Sequence, residues 1–182
     1  MKMHSATRDL TLIALFVALI AVMAQITIPL PPVPFTMQTF AIPLAGLVLG
    51  ARRGAIAACL YLLLGALGAP VFSAFQGGFG VLIGPTGGYL LSFPLVALIV
   101  GLAAERADKL DTGKRYMWLA AGLLTGMVVL FTMGMLQLAF VNQISIQAAF
   151  LGGVLPFLIP DLLKISLVLA IAPKIRQVLD RN

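Results

Sequence analysis

The chain has 182 residues, of which 61% are hydrophobic and only 10% are charged. Soluble domains have about 45–50% apolar and about 25% charged residues, and a soluble protein of this size leaves roughly a third of its unfolded surface in water. Composition therefore excludes a soluble enzyme, a disordered chain and a disulfide scaffold, and it predicts a single transmembrane domain over residues 1–182 that is all-α and integral to the membrane. The formal net charge is +6, but the basic runs beside polar and aromatic residues that nucleic-acid binding needs are missing, so we expect the lipid bilayer and no nucleic acid as a partner.

The first apolar stretch covers residues 10–28 and is long enough for a hydrocarbon core of about 30 Å. Its basic start also fits a signal peptide, although the apolar part exceeds the usual 7–15 residues of such a signal. We therefore expect a retained transmembrane helix here.

The next apolar region, residues 34–68, contains Arg52 and Arg53 near its middle. A single helix would bury both cations in lipid at a cost of several kcal/mol. We therefore predict two short helices with the turn "GARRG" between them. Three further spans at residues 84–104, 116–140 and 151–173 bring the predicted total to six transmembrane helices.

The basic residues support this count, because they fall only in alternate connections of a six-helix chain. Eleven of the twelve Lys and Arg residues lie in these connections or at the termini: Lys2, Arg8, Arg52, Arg53, Arg106, Lys109, Lys114, Arg115, Lys174, Arg176 and Arg181. Cytoplasmic loops carry the excess of Lys and Arg, so both termini are predicted to be cytoplasmic (N-in/C-in). The uncharged connections then face outside, including a Gly-rich loop between helices 3 and 4.

Lys164 is the remaining basic residue, and it lies inside the last span with Asp161 three positions before it. Residues at i and i+3 share a helix face, and a rise of 1.5 Å per residue places the pair in the middle and outer half of the membrane. The pair could be a neutralised contact that pins two helices. We favour a polar cavity lined by both residues, which suits a small ligand with N–H groups at one end and an anionic group at the other.

The segment of residues 68–90 contains six glycines between positions 77 and 88 but lacks the Lys-Ser/Thr of a phosphate-binding loop. It could provide tight turns and close helix packing. Alternatively, it forms a lid or re-entrant loop over the cavity. In that interpretation the polar groups come from Ser73, Gln76 and Tyr89, and the apolar walls from Phe72, Phe75 and Phe79.

The first helix carries Ala14 and Ala18 at the small-xxx-small spacing that permits close helix contact. This face packs either against a neighbouring helix or against another subunit.

No ATP-binding motif is visible, so energy for transport must come from a partner or a gradient. A single His4 and one intramembrane carboxylate do not provide a metal site, a catalytic triad or an acid–base pair. We expect no enzyme activity and no cofactor.

Three segments together resemble one family: "PPVPFTMQTFAIPLAGLVLG", "GAPVFSAFQGGFGVLIGPTGGY" and "LPFLIPDLLK". They are similar to the BioY family, the biotin-specific substrate-binding (S) components of energy-coupling-factor (ECF) transporters, over residues 10–175. The resemblance implies biotin capture from outside a prokaryotic cell, in the cytoplasmic membrane, with a membrane T subunit and two ATPase subunits as partners. It also implies that Asp161 and Lys164 belong to the biotin site and that Ala14 and Ala18 face the T subunit. The alternative is a stand-alone proton-coupled carrier of a small organic acid or vitamin, with Asp161 as the proton site.

Overall fold

The computed structural model describes residues 2–181 and, within them, the side chains of residues 6–179. The fold is all-α apart from one small hairpin. Its helices are α1 (Lys2–Gln25), α2 (Gln38–Leu49), α3 (Ala51–Ala66), α4 (Phe79–Ile83), α5 (Gly87–Ala107), α6 (Thr112–Asn142), α7 (Ile146–Gly153) and α8 (Leu158–Arg181). The hairpin consists of β1 (Thr27–Ile28) and β2 (Phe35–Thr36), which pair antiparallel with Thr27 opposite Thr36.

The two short helices predicted for residues 34–68 are present as α2 and α3. They meet at Gly50, whose φ of +83° is a conformation that residues with a side chain rarely adopt. The turn is tighter than predicted, because Arg52 and Arg53 already belong to the first turn of α3. The side chain of Arg53 extends from α3 to pair with Asp9 of α1 at 2.6 Å.

The predicted boundaries differ where proline changes the backbone. The predicted span 151–173 is divided into α7, a 3₁₀ turn (Leu155–Phe157) and α8, since Pro156 lies in the turn and Pro160 in the first turn of α8. The first helix ends at Gln25 instead of residue 28, because the chain enters the hairpin there. The Gly-rich connection also contains a 3₁₀ turn at Ser73–Phe75 before α4.

Four helical stretches of the described chain are long and apolar enough to cross a membrane: Ala6–Gln25, Gly87–Ala107, Thr112–Asn142 and Ile146–Leu179. Large apolar side chains on their outer faces are more than half exposed, including Leu15, Val128, Phe140 and Leu163. Apolar surface of this extent is not tolerated in water. The chain is therefore a multi-pass membrane protein.

Helix α5 lies at the centre, packed against α2, α3 and α6. Small residues let the backbones approach closely, as in other membrane bundles. A side chain added at Gly46 would collide with the backbone of Ala97, and one added at Gly101 would collide with Ala51. This close packing holds α2 inside the bundle, where ten of its twelve residues are buried.

Charged residues concentrate at the end of the bundle where α2 ends and α3 begins. Arg176 of α8 donates to the carbonyl of Leu47 at 2.8 Å and pairs with Asp108 at 2.7 Å. Arg115 also approaches Asp108, at 3.7 Å, and Glu105 accepts a hydrogen bond from the backbone N–H of Ala51. These contacts join α2, α3, α5, α6 and α8 at this end, a full helix length away from the first turn of α2.

Candidate ligand-binding site

A cavity of about 310 Å³ lies at the opposite end of the bundle, where α2 and α8 begin. The hairpin, the start of α2, the segment after α3, and helices α5, α6 and α8 all contribute to its wall. Its polar lining consists of Thr27, Thr36, Gln38, Thr39, Ser73, Gln76, Thr86, Tyr89, Asp161 and Lys164. Its aromatic lining consists of Phe35, Phe72, Tyr89, Phe93, Phe131 and Phe157.

The ammonium group of Lys164 is fully engaged by protein acceptors. Nζ donates to Asp161 Oδ1 at 2.7 Å, to Thr39 Oγ1 at 2.8 Å and to the carbonyl of Thr36 at 2.6 Å. An ammonium carries three hydrogens, so these three acceptors account for all of them. Phe35 covers the same group with its ring, at 3.7 Å from Nζ to the ring centroid.

Thr39 closes this arrangement into a ring of three side chains. Its hydroxyl accepts from Lys164 and donates to Asp161 Oδ1 at 2.8 Å. Both side-chain hydrogen bonds to Asp161 therefore end on Oδ1, while the residue also lines the cavity. Oδ2 is consequently the carboxylate oxygen that can accept from a molecule in the cavity.

The helix termini add to the stabilisation of the carboxylate. Asp161 lies in the first turn of α8, and Thr39 lies in the first turn of α2. The positive ends of two helix dipoles therefore meet at the pair. Asp161 and Lys164 are only 4% and 5% exposed, so the pair both connects α2 with α8 and forms the floor of the cavity.

Three of the four site residues predicted from the Gly-rich segment reach the cavity. Ser73 and Gln76 come from the segment after α3, and Tyr89 comes from the first turn of α5. The Tyr89 hydroxyl donates to the carbonyl of Gly153 at 2.7 Å, which fixes its ring between α6 and α7. Ser73 Oγ donates to Thr27 Oγ1 at 2.9 Å, connecting this segment with the hairpin.

Phe75 lies outside the cavity lining, contrary to the predicted apolar wall. Its φ of +58° follows a φ of +55° at Ala74, and this turn directs the Phe75 ring outward, where the residue is 70% exposed. Phe79 is likewise exposed. Phe72 alone of the three predicted phenylalanines forms the wall, 1% exposed and packed against Gly65 and Tyr61.

Sequence reasoning did not identify the polar residues around the start of α2. Gln38 is 4% exposed and donates to the hydroxyl of Tyr61 at 2.6 Å, and Thr36 donates to Gln38 Oε1 at 3.0 Å. One signal was present, because the segment "FTMQTF" places three polar residues within four positions, between an uncharged connection and an apolar span. Polar residues at such a depth line cavities or contact one another.

Ala14 and Ala18 take no part in the cavity. Both are exposed on α1, beside the exposed Leu15 and Val22. The surface that they form is therefore open to lipid or to another subunit.

The site is suited to binding and not to bond chemistry. It offers one carboxylate oxygen, one buried amide and several hydroxyls within an aromatic wall. Small-molecule sites typically combine such a mostly apolar lining with a few placed polar groups and begin at about 300 Å³. The cavity therefore fits a compact organic ligand that presents hydrogen-bond donors to Asp161.

Comparisons with known proteins agree on one group. A family model described as "BioY family" matches residues 1–181. The probable biotin transporter BioY of Pyrococcus horikoshii is 40% identical over 169 residues, covering 93% of this chain and 96% of the relative. The biotin transporter BioY of Thermotoga maritima is 41% identical over 170 residues, with the same two coverages.

A solved structure has the same fold. The crystal structure of the S-component for biotin from an ECF-type ABC transporter superposes with a TM-score of 0.83. It is 26% identical in sequence, and the match covers 96% of this chain and 93% of that chain. The likeness therefore includes the cavity end and the charged end of the bundle.

Replacing Thr39 with Val tests the three-membered ring, since valine keeps the shape and removes the hydroxyl. One buried ammonium hydrogen of Lys164 then loses its acceptor and Asp161 loses a donor, which costs about 1–3 kcal/mol of folding stability. We expect a lower midpoint of thermal unfolding for the detergent-purified protein without ligand. Thr39→Ser keeps the hydroxyl and should retain the midpoint of the parent. Thr125→Val removes the hydroxyl of an exposed threonine that bonds within its own helix, and it should leave the midpoint unchanged. Equal stability of Thr39→Val and the parent would contradict the ring.

Proposed function

Because the chain belongs to the BioY family, we propose that it captures biotin as the substrate-binding subunit of an ATP-driven ECF-type transporter. It is a transport component and not an enzyme, and biotin is its cargo. The observation that carries the proposal is the cavity with Asp161 on its floor, since a buried carboxylate can accept charge-assisted hydrogen bonds from the ureido N–H groups of biotin.

We place the ureido ring against Asp161 Oδ2. Lys164 has its three hydrogens on protein acceptors, so its role is to pair with Asp161 and hold the carboxylate in position. The aromatic side chains of Phe72, Phe93 and Phe131 then surround the apolar ring and chain of the ligand. The ligand carboxylate lies toward Ser73, Gln76 and the cavity mouth.

The orientation in the membrane follows from the two unlike ends of the bundle. At the charged end, Arg53, Arg115 and Arg176 each pair with an aspartate, and Arg176 also donates to a backbone carbonyl. The positive-inside rule assigns such an end to the cytoplasm. We therefore propose six spans (α1, α2, α3, α5, α6 and α8), cytoplasmic termini and a cavity that opens outside the cytoplasmic membrane of a prokaryote.

The energising partners are a membrane T subunit and two ATPase subunits. The exposed surface around Ala14 and Ala18 supports this part of the proposal, because small side chains let a second helix backbone come close. A stand-alone proton-coupled carrier would need Asp161 to exchange a proton. Asp161 is instead fixed by Lys164 at 2.7 Å and Thr39 at 2.8 Å, an arrangement that favours a static acceptor for a ligand.

Asp161→Asn tests the ligand site, because it preserves the shape and removes the charge. A hydrogen bond to a charged group contributes about 1.5–3 kcal/mol, so the affinity for biotin should fall about tenfold to more than a hundredfold. Isothermal titration of the purified protein with biotin measures the change, with thermal unfolding recorded alongside. Asp9→Asn, at a carboxylate paired with Arg53 at the charged end, is the matched control and should bind like the parent. If Asp161→Asn and Lys164→Met both fold and bind biotin normally, the pair is only structural.

Cysteine labelling tests the orientation. Gln76 and Thr112 are both exposed, at opposite ends of the bundle, and the native Cys59 is replaced by Ser to give an unreactive background. A membrane-impermeant maleimide added to intact cells should label Gln76→Cys and should reach Thr112→Cys only after the membrane is permeabilised. Labelling of both positions from the same side would disprove the proposed topology.

Ala14→Trp tests the partner surface. A large side chain there keeps the backbones of two helices apart, so co-purification with the T subunit and the ATPases should weaken. Biotin binding to the isolated protein should persist, because Ala14 is remote from the cavity. Phe140→Trp changes an exposed apolar residue on α6 and should leave assembly intact. Loss of biotin binding with normal assembly would show that the partner docks elsewhere.

A further inference from the structure

The loop of residues 71–76 forms the part of the cavity wall that lies between α3 and α4. Phe72, Ser73, Ala74 and Gln76 all line the cavity. The backbone N–H of Phe72 donates to the carbonyl of Gln76 at 2.9 Å, so the loop closes on itself. Any ligand on Asp161 is therefore covered by this loop on one side.

The two halves of the 71–76 loop are held in different ways. Phe72 is buried, with its ring centroid 5.6 Å from that of Tyr61, and the Tyr61 hydroxyl donates to the carbonyl of Val71 at 3.0 Å. The second half contains Ala74 and Phe75, which are both left-handed at φ of +55° and +58° and are both exposed. Non-glycine residues keep this conformation only where their surroundings hold it, and burial of apolar surface does not supply the restraint here.

Gln25, the last residue of α1, supplies that restraint from outside the loop. Its Nε2 lies 3.3 Å from the carbonyl of Val71 and 3.1 Å from that of Phe72, and its Oε1 accepts from the N–H of Phe75 at 2.9 Å. The same Nε2 also lies 3.2 Å from the carbonyl of Ala21 within α1. One amide therefore bonds to both halves of the loop and ties them to a transmembrane helix.

We propose that Gln25 is the positioning residue that holds the 71–76 loop closed over the ligand and so sets how long the ligand stays bound. This inference rests on the proposed function. Gln25 is not part of the cavity lining, so it acts through the loop alone. Without it, the strained half relaxes while Phe72 remains anchored, and the loop opens more often.

Gln25→Met tests this role, since methionine keeps the volume of the side chain and removes its hydrogen bonds. We expect labelled biotin, chased with unlabelled biotin from the detergent-purified protein, to dissociate about tenfold faster, which corresponds to the loss of one or two net hydrogen bonds. The association rate should change far less, as is usual among variants of one site. Gln25→Glu keeps an acceptor for the Phe75 N–H, but it places a carboxylate oxygen against the carbonyls of Val71 and Phe72. Because these oxygens repel one another, this variant should also speed dissociation.

Gln137→Met is the matched control. Gln137 of α6 is half-buried like Gln25, and its amide donates to the carbonyls of Leu82 and Gly84 at 2.8 Å, beyond the 71–76 loop. It should lower thermal stability without changing the dissociation rate. Equal acceleration by Gln25→Met and Gln137→Met would show a general loosening and would overturn the proposal.

Hydrogen–deuterium exchange without ligand separates this proposal from the proposed function. Gln25→Met should speed exchange of the backbone amides of the 71–76 loop, Phe75 above all, whether or not the parent protein binds biotin. Failure of the parent to bind biotin would refute the proposed function and leave the exchange result standing. Unchanged loop exchange, or faster exchange with unchanged biotin dissociation, would overturn the role of Gln25.

Discussion

A buried ammonium must be satisfied on all sides, and that requirement organises the cavity end of this protein. Removing a charge from water costs several kcal/mol unless close acceptors replace the solvent. Lys164 obtains its acceptors from β2, from the first turn of α2 and from its own helix. The hairpin, α2 and α8 must therefore converge at one point, and the space that they leave toward α5 and α6 is the cavity.

Much of this arrangement follows from local sequence rules. The apolar stretches mark the long helices, and the two arginines after Gly50 require the α2–α3 break, because neither cation could remain in mid-membrane. The spacing of Asp161 and Lys164 places them on one helix face. Their isolation within an apolar span predicts that they line a polar cavity.

The contacts that complete the site join residues far apart in the chain, and periodicity carries no information about them. Thr39 and Asp161 are 122 positions apart, and Gln25 and Phe75 are 50 apart. The outward direction of Phe75 could not be predicted either, since phenylalanine rarely adopts a left-handed backbone conformation. A single glutamine in an apolar helix looks the same whether it faces lipid, a ligand or a loop.

The brevity of α2 has a consequence for the depth at which the protein can hold a polar molecule. Twelve residues rise only about 18 Å, against a hydrocarbon core of about 30 Å. A lipid-facing helix so short would force the bilayer to thin around it. Because α2 is enclosed by protein, the difference between its length and the thickness of the hydrocarbon core does not deform the lipid. The cavity beside Gln38 takes the place of the missing turns, so a ligand can be held well inside the bundle while the lipid around the protein keeps its thickness.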